Sequence, residues 1–190
     1  MANQERLAGT KLLLMGSKAF EAERLPAEVA SKIDEAITAD MIILVGEASG
    51  ACRLYQDYLQ SKEYRNVLVG HAKSMRYNAG NWKTKQYGID MKERERRMIE
   101  ASDSAIIIRT DHSRVIAENL ELLKNLGKPT FICEHSTRMN TIEVGWLDPK
   151  RTYDPYYHMK EYFMKKKQQN KSSSLVVKVC NARSSRSRRQ

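Results

Sequence analysis

Five short segments of the chain are almost continuously apolar and recur at intervals: 11–17 (KLLLMGS), 41–46 (MIILVG), 66–72 (NVLVGHA), 104–110 (SAIIIRT) and 129–134 (PTFICE). A strand with one face in water alternates apolar and polar residues, whereas an unbroken apolar run of this length suits a strand covered on both faces. Such strands belong to parallel sheets, whose crossover connections lay helices on either side.

The intervening segments have helical spacing. Segment 25–39 places Pro26 near its first turn, where the missing N–H costs nothing, and Val29, Ile33 and Ile37 on one stripe. In 49–62, Leu54, Tyr58 and Leu59 repeat at helical spacing, and in 113–127 Ile116, Leu120, Leu123 and Leu126 point inward before Gly127 ends the helix. Segment 91–103 (MKERERRMIEASD) is a strongly charged helix with Met91, Met98 and Ala101 inward and an arginine near its start within reach of a crevice. Strands alternating with helices predict a doubly wound α/β fold with a mainly parallel sheet of about five strands and right-handed crossovers. Beyond Glu134, segment 141–167 reads as a loop followed by a short aromatic-rich C-terminal helix.

At 190 residues and 41% hydrophobic content the chain suffices for one core. Its formal charge is +10, from 33 Lys and Arg against 23 Asp and Glu. Nine of those cations lie in 164–190, which holds no acid, so residues 1–163 are left with 24 cations against 23 acids. The basic balance therefore belongs to a flexible tail, and 1–163 forms the domain. Cys52, Cys133 and Cys180 are odd in number and lack CxxC spacing, which argues against a disulfide framework or a zinc site. His71, His112, His135 and His158 are scattered without metal-ligand spacing, and no cofactor is called for. No apolar stretch approaches the roughly 20 residues of a membrane span, so a soluble cytoplasmic protein is expected.

Doubly wound sheets take ligands beyond the carboxyl ends of their strands. Three such ends are small or polar: Gly16 and Ser17; Gly46, Glu47, Ala48, Ser49 and Gly50; and Thr110, Asp111, His112 and Ser113. Two readings of the second compete. Its small residues either let free helix-start amides approach an anion, or merely make a tight turn. The stretch 71–87 has neither strand nor helix period; within it Arg76 suits a phosphate or carboxylate, Asn78 and Asn81 suit directional hydrogen bonds, and Trp82 or Tyr77 suits stacking on a base. A surface loop anchored by Trp82 is the plainer account of the same residues. Cys52, just inside the helix after Gly50, reads as a small buried packing residue.

Taken in order, these segments resemble the SLOG superfamily, the Rossmann-like nucleotide-binding domains that unite DprA proteins with LOG-type phosphoribohydrolases. The segment MGSK at 15–18 looks like the family's GS(R/K) signature, LVGEASGACRLYQDYL at 44–59 like its second-strand G-x-x-x-G-x-D motif, and RYNAGNW at 76–82 like the loop of a bacterial SLOG-like group. The resemblance spans about Lys11 to Glu134. Met91 and Arg94 match the M-x-x-R-K helix of the LOG enzymes, with Glu95 in place of the lysine and Met98 at a second methionine. Against their P-G-G-x-G-T-x-x-E motif the chain departs: Val115 and Ile116 replace Gly-Thr, Asn119 replaces the glutamate, and Cys52 replaces the aspartate of the second-strand motif. Glu118, one position earlier, would substitute only if the helix were rotated.

The resemblance implies a domain that binds or senses a nucleotide or nucleotide-derived ligand of the ADP-ribose type, as a homodimer like many LOG relatives. Gly46 to Gly50 with Gly16 and Ser17 would hold phosphate, Arg76 or Arg94 would neutralise charge, and Thr110, Ser113 and Asn119 would line the crevice. A nucleoside or nucleotide N-glycosidase or deoxyribosyltransferase, with Glu47 as the only well-placed carboxylate and Arg94 as the other catalytic candidate, is the enzymatic alternative. A third expectation is sequence-independent nucleic-acid binding through residues 165–190, whose cations would neutralise phosphates.

Overall fold

The computed structural model describes residues 5–111 and 113–153. In chain order the elements are β1 (Lys11–Gly16), α1 (Ala27–Thr38), β2 (Ile42–Gly46), α2 (Ala51–Ser61), β3 (Val67–His71), β4 (Lys83–Gln86), α3 (Met91–Ala101), β5 (Ser104–Thr110), α4 (Arg114–Asn125), β6 (Thr130–Ser136) and β7 (Thr141–Trp146). They form one sheet of seven strands in the order β4-β3-β2-β1-β5-β6-β7. Every neighbouring pair is parallel except β6 and β7. The fold is a doubly wound, Rossmann-like α/β fold.

The unbroken apolar runs are explained by alternation onto two cores. Leu12 and Leu14 join Val29, Ile33, Tyr55 and Leu59 of α1 and α2, while Leu13 and Met15 join Met98, Ile99, Leu120 and Leu123 of α3 and α4. Register keeps the layers aligned, with Leu13 opposite Leu44 on β2 and Ala105 on β5.

Two strands exceed the five expected. All four residues of β4 (KTKQ) are exposed, so no apolar pattern announces this edge strand inside the 71–87 segment. Segment 141–146, expected to be loop, instead pairs antiparallel with β6 as β7. The anticipated C-terminal helix and the basic tail lie outside the described residues.

Some helical faces are also turned from expectation. In α2 the buried stripe is Cys52, Tyr55, Gln56 and Leu59, leaving Leu54 and Tyr58 partly buried. In α3 it is Arg94, Glu95, Met98 and Ile99, two of them charged, with Met91 and Ala101 only partly buried. In α1, Ala36 is buried and Ile37 partly so; in α4, Leu126 is the exposed C-cap. Gly127 does turn left-handed just past α4, at φ 64°, and its N–H donates to the Lys124 carbonyl at 3.0 Å. No helix among the described residues is long and apolar enough to cross a membrane.

Candidate functional site

From β1 the chain winds outward through β2, β3 and β4, then returns to lay β5 on the other side of β1. The carboxyl ends of β1, β2 and β5 therefore flank the point where winding direction reverses, the usual ligand position in such sheets.

Ser17 stitches this corner together. Its N–H donates to the Ile108 carbonyl at 2.8 Å, its hydroxyl accepts the Thr110 N–H at 2.9 Å, and its carbonyl accepts the Ala51 N–H at 3.1 Å. The hydroxyl oxygen expected to meet phosphate thus serves a protein amide, and the first amide of α2 is taken by a neighbouring carbonyl. Gly16 is wedged beneath it, since a Cβ there would lie 2.7 Å from both Ala51 Cβ and the Ile108 carbonyl. Gly50 has φ 74°, and a Cβ would sit 2.4 Å from the Lys18 carbonyl. The fold itself requires that glycine. Among the described residues, no protein acceptor takes the N–H of Ser49, which is exposed, or of Gly50.

Between these glycines lies the principal charged feature. Glu47, only 1% exposed, takes the guanidinium of Arg94 on one carboxylate oxygen and Nη2 of Arg76, at 2.8 Å, on the other. Arg94 is itself 1% exposed because α3 turns it inward, and Gly46 makes room: a Cβ there would lie 3.4 Å from Arg94 Nη2. Arg94 Nη2 continues to Glu95 Oε1 at 3.4 Å, and Glu95 Oε2 accepts Asn119 Nδ2 at 2.8 Å. The buried Arg94 Nε has no partner among the described residues. One relay, Arg76–Glu47–Arg94–Glu95–Asn119, thus joins the end of β2 to α3 and α4. Glu95 and Asn119, two positions where the sequence departs from the LOG pattern, bond each other. Glu118 faces outward, bonded to Arg114 Nε at 3.0 Å.

Arg76 is held out over this relay by a closely tied connection. Gln56, fully buried, donates to the Gly46 and Tyr77 carbonyls and accepts the Ala79 N–H. Asn78 closes both ways on the Trp82 backbone, and the Trp82 indole, 8% exposed, donates to the Tyr64 carbonyl at 2.9 Å. The Trp82 ring belongs to the core beside α2, so it is not offered to a base. Tyr77 bonds Asp57 and lies under Arg53, with the guanidinium carbon 4.8 Å from the ring centre; the Asp57 bond, aided by burial, raises its phenol pKa. Asn81 is exposed, with a left-handed φ of 49°. Arg76 alone of this group has a side chain both 45% exposed and directed at the relay, and its Nη2 also lies 3.0 Å from Met91 Sδ.

At the end of β5, Thr110 is buried and its Oγ1 has no partner among the described residues. Asp111 accepts from the Thr137 amide and hydroxyl at 2.8 and 2.7 Å, and Ser113 precedes α4 without a side-chain cap bond. His112 lies outside the described residues. Ala48 is buried, and so is Cys52, whose thiol pKa burial raises.

Open space adjoins the relay at its far end. A groove of about 640 Å³ runs between α3 and α4, walled by Ile89, Met91, Val115 and Leu122, with Glu95 and Asn119 in its lining. Another, of about 750 Å³, lies between the start of α1 and the β6–β7 hairpin, away from the relay. Among the described residues no group of three or more His, Cys, Asp or Glu could hold a metal ion. Compared with protein-family models and with curated proteins, the chain matches none.

Proposed function

We propose that the protein binds or senses a nucleotide or nucleotide-derived anion, as a divergent SLOG-type domain, in the crevice beside Glu47. The supporting observation is the buried Glu47–Arg94 pair, with half-exposed Arg76 on its outer side. Removing ions from water costs several kcal/mol each, by order of magnitude, and apolar side chains of similar volume are often as stable in such places. Charge concentrated at the ligand end of an open α/β sheet is therefore better accounted for by recognition than by stability. Arg76 devotes one nitrogen to Glu47, and a guanidinium has five N–H donors in a fork that fits phosphate or carboxylate. The N–H groups of Ser49 and Gly50 are the main-chain donors this reading assigns to the same anion.

Binding is favoured over turnover. Both Glu47 oxygens are engaged by guanidiniums, and the Asn119 amide offers no carboxylate base, so the N-glycosidase alternative lacks a free acid or base. The reading carries with it a cytoplasmic, homodimeric protein; nucleic-acid binding through residues 165–190 is a separate alternative to it.

Thermal unfolding of the full chain with mononucleotides, cyclic nucleotides and ADP-ribose tests it. A ligand at 100 times its Kd adds about 2.7 kcal/mol to native stability and raises Tm. Arg76→Ala is expected to weaken that ligand about tenfold or more, in line with loss of a charge-assisted bond. No shift across the panel would refute the reading. Base release abolished by Glu47→Gln would restore the enzymatic one.

A further inference from the structure

The α3–α4 groove has a floor whose chemistry is one-sided. Its walls carry open apolar side chains, Ile89 at 75% and Val115 at 54% exposure with Met91 and Leu122 beside them, along with the charged side chains of Asp90, Lys92, Glu93, Arg96 and Glu118. Its polar floor is the Glu95–Asn119 pair, each 8% exposed. The orientation of the Asn119 amide follows from chemistry, because the atom 2.8 Å from Glu95 Oε2 faces a carboxylate and must be the N–H₂ end. That nitrogen also lies 3.2 Å from Met15 Sδ, so its donors point inward. Among the described residues nothing donates to Asn119 Oδ1. The floor therefore offers a nearly buried amide oxygen and the remaining lone pairs of Glu95, which are acceptors only.

A ligand seated there gains by presenting N–H donors and loses by presenting a carbonyl, since two facing acceptors leave both desolvated and unpaired. Charge decides between a cationic and a neutral donor. Arg76, Glu47, Arg94 and Glu95 balance to zero, Glu93 is paired to Arg97, Arg96 to Glu100, and Glu118 sits between Arg114 and Lys92. Asp90, the remaining carboxylate of the lining, caps α3 by accepting the Glu93 N–H at 2.8 Å, so the floor itself carries no net charge that calls for a cation. Exposed apolar side chains around an acceptor floor whose charge is balanced by Arg94 suit a flat heterocycle carrying an amino group.

We propose that this groove is the base subsite, and that Asn119 with Glu95 selects amino-bearing bases over their oxo counterparts. The inference rests on the nucleotide reading of the neighbouring crevice. Met91 joins the two places, because it lines the groove and touches Arg76. Asn119 acts here as a specificity-determining residue.

The test is isothermal titration of the full chain with matched pairs: adenosine and inosine monophosphates, cytidine and uridine monophosphates, and free adenine and hypoxanthine. The amino member of at least one pair is expected to bind about tenfold or more tighter, the scale of one unpaired buried polar group. Asn119→Leu is expected to bring that ratio close to one. Arg76→Ala is expected to weaken both nucleotides of a pair equally and leave their ratio unchanged. Because Asn119→Leu strips Glu95 of a donor and can unfold the chain, Val115→Arg, on an exposed wall, provides a second block that weakens every base-bearing ligand. Equal binding within all pairs overturns the selection and leaves the crevice reading intact. If no nucleotide binds but free adenine does, and hypoxanthine does not, the crevice reading falls and the groove stands. Absence of all binding overturns both.

Discussion

Glu47 at the end of β2 and Arg94 on α3 form an ion pair across 47 residues of sequence, with each partner only 1% exposed. The contact brings a charged helix face to the carboxyl edge of the sheet. Each residue's burial depends on the other, since neither charge could be left alone in that space.

Breaking the pair on one side is expected to be costly. Glu47→Gln leaves the buried Arg94 guanidinium with only the longer Glu95 contact, at 3.4 Å, and should lower unfolding free energy by about 3 kcal/mol in urea titration. The double replacement Glu47→Leu with Arg94→Met should recover at least half of that loss. A single variant within about 1 kcal/mol of the parent would show that the pair is hydrated.

Gly50 and Gly127 both have positive φ but differ in surroundings. At Gly127 a Cβ would meet nothing within 4 Å, so Gly127→Ala should cost about 1–2 kcal/mol, the strain of a left-handed residue alone. At Gly50 the added carbon meets the Ser17 and Lys18 carbonyls at 2.5 and 2.4 Å, so Gly50→Ala must also push two chain segments apart. Its loss in Tm should clearly exceed that of Gly127→Ala. Equal losses would mean that the Ser17–Ala51 corner yields easily.

Asp103 carries a pH prediction. The Thr10 amide at 2.8 Å and the Lys11 amide at 2.9 Å both donate to its carboxylate, and the Thr10 bond is the chief cause of its lowered pKa. A carboxyl group whose folded pKa is depressed stabilises the fold above its unfolded pKa, about 3.9, and loses that contribution as pH falls through the folded value. The stability gap between the parent and Asp103→Asn should therefore be full at pH 7 and narrow below about pH 4. A gap constant over that range would exclude a contribution from ionised Asp103.

The described cysteines are expected to be inert in the native state. Burial raises the Cys133 thiol pKa to about 11 and the Cys52 thiol pKa also, in the latter case outweighing the Arg94 charge. Thiolate is the reactive form, so peptide-level mass spectrometry after iodoacetamide at pH 8 should find both unmodified until denaturant is added. Native labelling of Cys52 would place the β2–α2 corner in an open state.

How far the sequence could be read depended on whether a residue's environment was local. Leu12 to Met15 announce a strand covered on both faces because alternate side chains enter two cores, and that demand is written in consecutive letters. Strand β4, by contrast, has four exposed residues at a sheet edge, and β7 has four exposed residues of its six beyond β6, so neither needs an apolar pattern. The rotation of α3 was illegible for a related reason. Arg94 and Glu95 look like part of a solvated face until Glu47 and Asn119 are placed opposite them.

At the site, the small residues from Gly46 to Gly50 marked the β2 end, and their turn was visible in the sequence. The use of Ser17, however, depends on β5: its hydroxyl meets the Thr110 amide across 93 residues of separation. By itself the sequence determined a doubly wound sheet, through residue-by-residue hydrophobic demand and crossover handedness. Only the tertiary structure decided which charges are buried and which amides remain open. Compensation of a buried charge requires a partner within a few ångströms, and here such partners come from segments far apart in the chain.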